Sequence, residues 1–342
     1  MGIDPRVRLG VDLGGTKTEA VIVRQGAGDG PATNEREDEG EKDSGGDGLE
    51  VLARLRIPTD REGGYERIVE GTARLICDVA RDAGLPVLPP VGIGMPGSVT
   101  FRRTDGTRST DPLVKNSNTT CLNGRPFRAD LARALAAQAP AGSSEVLAFA
   151  NDANCFALAE ARYGAARGGR VAFGVIMGTG VGGGIVLRHG ADVVAWDGAH
   201  GIAGEWGHVV LDPASPRRCY CGHSGCIERF LSGPAIEAAY AGRTGTARPL
   251  VEIAALTGDA DAKATLNDVV ESFGRAIAIL VNILDPDVIV LGGGVSNLDV
   301  LYAEGPAAVA RHVFNDEFRT PIVKNALGDS AGVLGAAALT GR

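Results

Sequence analysis

The chain reads as an α/β protein in two halves. Two observations carry that reading: strand-like and helix-like segments alternate along its length, and each half opens on a hairpin turned by glycine. In the first hairpin, residues 7–11 alternate as a strand, Asp12-Leu13-Gly14-Gly15-Thr16-Lys17 makes the turn, and residues 18–23 return. Ile68, Thr72, Leu75, Ile76 and Val79 recur at helical spacing, and the pattern stops at Gly84 before Pro86. Residues 91–97 predict a buried strand running into a sharp loop. Residues 146–150 predict a short strand that hands over to a helix at Asn151-Asp152-Ala153-Asn154. The second hairpin enters along residues 171–177, turns at Gly178-Thr179-Gly180 and leaves along residues 185–187. A long helix carrying Leu266, Phe273, Ile277 and Leu280 then precedes the apolar strand 288–291 and Gly292-Gly293-Gly294. The two hairpins make at best a weak internal repeat by sequence identity.

A chain of 342 residues, 44% hydrophobic and 22% charged, has room for two domains of about 150 residues each. The boundaries expected are 1–150 and 151–326, with a C-terminal helix in 327–342 packing back on the first domain. The formal charge of −8 is concentrated in residues 26–48, where eight acids face only Arg36 and Lys42. The rest is nearly neutral, which argues against a nucleic-acid surface built on positive charge. That acidic stretch reads as a loosely ordered insertion, and Phe101 to Asp111 as a second polar, turn-rich one. No segment is long and apolar enough to predict a membrane span or a secretory leader, so a cytoplasmic protein is expected. Cys77, Cys121 and Cys155 stand singly, as packing residues do in a reducing compartment.

The phosphate-binding device is not a P-loop, because no G-x-x-x-x-G-K-[ST] occurs. The two glycine turns offer an alternative: Gly14, Gly15 and Thr16, and Gly178, Thr179 and Gly180, bring backbone N–H groups and threonine hydroxyls close to an anion. Together they would clamp a polyphosphate, although each alone reads equally as a plain turn. Asp12 is placed to hold Mg²⁺ through water, and Gly293 and Gly294 follow a buried strand where a nucleotide's adenosine would lie.

Between Glu205 and Glu228 the chain gathers Cys219, Cys221 and Cys226 as C-x-C-x₄-C among glycines, with His208 shortly before. Buried structural cysteines seldom cluster in this way. The set predicts a tetrahedral zinc knuckle with His208 as fourth ligand and His223 as its rival. Four protein ligands leave no open position, so this zinc would be structural.

Asp12-Leu13-Gly14-Gly15-Thr16-Lys17, Asn151-Asp152-Ala153-Asn154, Glu205-x-Gly207-His208 and the cysteine run ending in Glu228 resemble, in order and spacing, the ROK family of sugar kinases and related repressors. The resemblance covers nearly the whole chain and implies an actin-like (ribonuclease H-like) fold whose two α/β domains close over ATP and a hexose. Repressor members carry a DNA-reading module ahead of the first hairpin, and none is expected here. The resemblance makes Asp152 the general base for the sugar 6-hydroxyl, a role that spacing alone does not separate from helix capping. It makes Asn118, Asn151, Asp152, Glu205, His208 and Glu228 the hexose ligands, with one ring nitrogen of His208 on zinc and the other on the sugar. ATP would be held by Asp12, Gly14, Gly15, Thr16, Lys17, Gly178, Thr179, Gly180, Gly293 and Gly294. Residues 115–124 resemble fructokinases most, so fructose is the expected substrate. N-acetylglucosamine or glucose is the alternative within the family, and a non-catalytic sugar-sensing regulator the alternative outside it. A homodimer is open by analogy only.

Overall fold

The computed structural model describes residues 4–26 and 48–341. Strands β1 (Val7–Leu13), β2 (Lys17–Gln25) and β3 (Leu49–Pro58) lead to helix α1 (Tyr65–Asp82), β4 (Val91–Met95), the hairpin β5 (Ser98–Arg102) and β6 (Arg108–Lys115), helix α2 (Phe127–Gln138) and β7 (Leu147–Asn151). Helix α3 (Asp152–Tyr163) follows, then β8 (Val171–Met177), β9 (Val181–His189) and β10 (Asp192–Ala195). Helices α4 (Glu228–Leu231), α5 (Gly233–Thr244), α6 (Leu250–Ala255) and α7 (Ala260–Leu284) precede β11 (Val288–Gly292), α8 (Val300–Ala303), α9 (Gly305–Ala310), β12 (Ile322–Lys324) and α10 (Ala331–Ala338).

Two five-stranded mixed sheets form the frame, ordered β3-β2-β1-β4-β7 and β10-β9-β8-β11-β12. In each, three antiparallel strands continue into two parallel ones, so the second half repeats the first in topology. Strand periodicity decides what each face meets. Val7, Leu9, Val11 and Leu13 point into a core shared with Ile68 and Ile76 of α1 and Phe127 and Leu131 of α2. The opposite face of β1 receives α10, which also packs on β4 and on α3.

Glycine pairs make that face accessible to a helix backbone. Gly10 and Gly92 are neighbours in register on β1 and β4, and a Cβ on either would run into the carbonyl oxygens of Val333 and Ala336. Gly174 and Gly184 are paired in the same way on β8 and β9, where a Cβ would strike Ala157 and the Ala153 carbonyl of α3. One device therefore seats one helix on each sheet. Glu160 of α3 fastens the two helices' approaches together. Its fully buried carboxylate accepts hydrogen bonds from the backbone N–H groups of Ala165, Ala326 and Leu327 at 2.8–3.1 Å. Glu160→Ala should strand these donors and lower stability by about 3 kcal/mol or more, read as a shift of the urea midpoint.

The polar, turn-rich stretch Phe101 to Asp111 takes strand structure on both sides of its turn. It falls within the β5–β6 hairpin, closed by Arg103 N–H donating to Thr107 O at 2.9 Å. Val99 and Phe101 are both exposed, and a Cβ on Gly201 of the second half would lie 3.3 Å from Val99. The acidic stretch, residues 27–47, lies outside the described residues. Its flanks Gly26 and Gly48 meet through a backbone hydrogen bond. Among the described residues no helix is long and apolar enough to cross a membrane.

Candidate active site

Two cavities meet at the second glycine turn. One, of about 310 Å³, is lined by Asn118, Asn151, Asp152, Glu205, His208 and Glu228, together with Gly178, Thr179 and Gly180. The other, of about 640 Å³, shares Gly178 and Thr179 and continues over Gly294, Val295, Leu298, Pro249, Leu250 and Val251. The first is polar and acidic. The second has an apolar floor.

Asp152 stands where β7 ends and α3 begins. Asn151 caps that helix, accepting from Ala153 N–H at 2.9 Å, and Asp152 Oδ1 shares the same donor at 2.8 Å. Its Oδ2 has no protein donor among the described residues. The carboxylate opens onto the cavity with protein around its other sides. Desolvation pushes its pKa up to about 6, with Glu205 adding repulsion and the Ala153 N–H opposing it. Asp12 at the end of β1 is likewise pushed up to about 6, by burial first and then by the charges of Asp152 and Glu19. The charge of Asp152 raises Asp12, and a divalent cation held by Asp12 would relieve that repulsion.

Asn151 uses both ends of its amide within the protein, since Nδ2 donates to Gly97 O at 2.9 Å. It holds the strand–helix corner, and because each end of the amide keeps one N–H or lone pair free, it can still meet a hexose hydroxyl in the cavity it lines. Glu228, first residue of α4, accepts from Val181 N–H at 3.1 Å, which leaves its other oxygen for the cavity. Burial pushes Glu205 above the ordinary carboxylate range, an effect opposed by His208.

His208 differs from expectation at its outer nitrogen. Nε2 meets the Tyr220 hydroxyl at 2.9 Å and the two rings pack edge to face, and both residues line the polar cavity. Nδ1 lies 3.6 Å from Cys219 Sγ, and Cys221 Sγ lies 3.6 Å from Cys226 Sγ. The ligand atoms of His208, Cys219, Cys221 and Cys226 all fall within 4.8 Å of one another. A tetrahedral zinc with Zn–S of about 2.3 Å and Zn–N of about 2.05 Å requires S···S near ~3.8 Å and S···N near ~3.6 Å, so the set fits that ion. His223 lies 3.6 Å from Cys221 Sγ but outside the group of four.

Asp12, Gly14, Gly15, Thr16, Lys17 and Gly293 line neither cavity. The first turn nonetheless borders the polar one, because a Cβ on Gly15 would lie 4.0 Å from Asn118 Oδ1. Gly293 lies under the Met177 carbonyl, leaving Gly294 to face the larger cavity. Sequence reasoning missed three residues at the polar cavity: Tyr220, Asn116 and Asn154. Each had a signal. Tyr220 sits between two candidate metal ligands, Asn154 lies within the Asn-Asp-Ala-Asn corner, and Asn116 lies within the expected sugar loop, residues 115–124.

A family model described as the ROK family matches residues 45–342. The chain belongs to the ROK family. The N-acetyl-D-glucosamine kinase of Photobacterium profundum is 35% identical over 343 residues, covering 96% of this chain and 98% of that protein. The N-acetyl-D-glucosamine kinase of Aliivibrio fischeri is 34% identical over 341 residues, with coverage of 96% and 98%. Among solved structures, the ROK hexokinase of Thermus thermophilus matches with a TM-score of 0.75 at 30% identity, covering 97% of each chain. The two duplicated sheets are those of the actin-like fold that ROK kinases share, as the sequence led one to expect.

Proposed function

We propose that this ROK protein is an ATP-dependent N-acetyl-D-glucosamine kinase that phosphorylates the 6-hydroxyl. The observation that carries the kinase reading is the junction of the two cavities at Gly178 and Thr179. Adenosine on the apolar floor and a hexose among Asn118, Asp152, Glu205 and Glu228 leave the polyphosphate to run over that turn, its γ-phosphorus beside Asp152. Phosphoryl transfer is mostly positioning and charge stabilisation, with one carboxylate to accept the hydroxyl proton. Asp12 is the group that would hold the nucleotide's Mg²⁺, which supplies charge neutralisation on the phosphates. His208, Cys219, Cys221 and Cys226 would hold a structural zinc.

The choice of sugar rests on the relatives, two of which bear the name N-acetyl-D-glucosamine kinase over nearly their full length. The fructose preference read from residues 115–124 finds no support among them. A non-catalytic sugar sensor would have no use for a carboxylate held near a pKa of about 6 in the cavity. ADP release should be measured across N-acetylglucosamine, N-acetylmannosamine, glucose, mannose and fructose. N-acetylglucosamine is expected to give the highest kcat/KM, by at least about tenfold over fructose. A higher value for fructose would restore the fructokinase reading, and no ADP release with any hexose would remove the kinase.

A further inference from the structure

The polar cavity must receive the γ-phosphoryl group, yet its walls carry Asp152, Glu205 and Glu228 and no lysine or arginine. Besides the nucleotide's Mg²⁺ and Lys17 of the first turn, the fold brings one more cation to the edge of this site. The last residue of β3 pairs with the first of β2, Pro58 opposite Lys17, so β3 delivers the chain beside the first glycine turn. Thr59 then fastens it. Its N–H donates to Thr16 O at 3.0 Å, its hydroxyl donates to Gly14 O at 2.7 Å and lies 3.0 Å from the Thr18 hydroxyl, and the residue is buried. Asp60 follows in the left-handed region at φ 53, ψ 49, with its carboxylate accepting from Gly63 N–H at 3.2 Å. Such a conformation is uncommon for a residue other than glycine and persists only where its surroundings hold it.

Arg61 comes directly after this turn. A Cβ on Gly15 would lie 3.7 Å from Arg61 Nη1 and 4.0 Å from Asn118 Oδ1, so the guanidinium lies against the first turn on the side where that turn meets Asn118 of the polar cavity. Neighbouring arginines are already neutralised: Arg54 and Arg56 by Glu19, Arg125 by Glu66. Arg61 is exposed and has no ion-pair partner among the described residues.

We propose that Arg61 is a catalytic residue that grips the γ-phosphoryl group of ATP while it passes to the hexose. The proposal rests on the kinase reading above and adds to it the residue that stabilises the transferred group. In that step the hexose 6-oxygen forms the new bond to phosphorus and its proton goes to Asp152. The bond from phosphorus to the bridging oxygen breaks, and that electron pair leaves with ADP. Arg61 makes no covalent bond. Its planar donors meet two equatorial oxygens of the transferring group, a geometry an ammonium cannot reproduce.

The test is steady-state kinetics with MgATP and the best hexose of the panel. Arg61→Ala is expected to lower kcat by about 100-fold, less than the 10³-fold or more of a fully enclosed arginine finger because this side chain is solvent-exposed. The hexose KM should move by less than about threefold, and the melting temperature should be unchanged. Millimolar guanidinium should restore part of the lost kcat in Arg61→Ala and none in Asp152→Asn. Arg61→Gln, which keeps the stem, carries the same expectation if the alanine variant folds poorly. An unchanged kcat, or a loss confined to the KM for ATP, overturns the proposal while wild-type turnover keeps the kinase standing. A wild type that releases no ADP with any hexose removes both.

Discussion

Asp152→Asn should lower kcat by roughly 10³-fold, the middle of the range for a positioned general base, while the hexose still binds. The substitution keeps the side chain's shape and its acceptor for the Ala153 N–H, so the corner between β7 and α3 should survive. Only the ability to take a proton is lost. In the wild type, kcat should fall as pH drops through about 6, where the carboxyl becomes protonated. Asp12 is raised to about 6 as well, so the loss of kcat on acidification would include its protonation. Stability moves the other way. A carboxyl whose folded pKa is raised from 3.8 to about 6 contributes its stabilising share below pH 3.8 and loses it as pH rises through 6. Asp152→Asn should therefore melt higher than wild type at pH 8, with the gap closing by pH 4. Near-normal turnover in the variant would return Asp152 to helix capping, and a lower melting temperature at pH 8 would show that the fold does not disfavour its charged form.

The duplicated topology explains why two glycine turns exist at all. Each sheet places a turn at the far end of its first antiparallel pair, β1–β2 and β8–β9, and α3 and α10 fill the space between the sheets. Gly10 and Gly174 are each the fourth residue of the strand that opens their sheet, and each lets a helix backbone approach. The sequence repeat is faint because a glycine at one position and apolar residues around it suffice to preserve the arrangement.

Both hairpins and the metal-ligand cluster were legible in the chain because the residues that make them are local and chemically unusual. Strand periodicity also marked β1. Arg61 was not legible. It lies more than forty residues beyond the turn it faces, across the acidic stretch, and only the pairing of β2 with β3 joins them. The β5–β6 hairpin was hidden because its strands expose Arg102, Arg108 and Asp111, so apolar alternation is confined to Val99, Phe101, Leu113 and Val114. Tyr220 was overlooked for a different reason: between two cysteines, its chemistry becomes visible only when the chain folds it back over His208.

Removing the metal from the His208, Cys219, Cys221 and Cys226 set should have the largest structural effect of any change to this protein. The knuckle itself has little regular secondary structure, although Trp206, Leu211 and Ile227 anchor its ends in the core. Val210 bridges to Cys226, Arg218 bridges to Ser224, and a tight turn joins Cys219 to Gly222. A structural zinc in a small knuckle contributes on the order of 10 kcal/mol to the folding of its segment. The consequence reaches the cavity because the ligands share their elements with hexose-lining residues. Glu205 and His208 occupy one short helical turn, and Glu228 follows Cys226 by two residues. Zinc would thus clamp two walls of the polar cavity at once. Elemental analysis should find one zinc per chain in protein purified without added metal, and Cys226→Ser should abolish it. Stripping the ion with a strong chelator should weaken hexose binding by at least about tenfold and open residues 205–228 to proteolysis, with zinc restoring both. Protein that holds no zinc as purified yet binds its hexose normally and resists protease in that segment would show that the four side chains pack together without a metal.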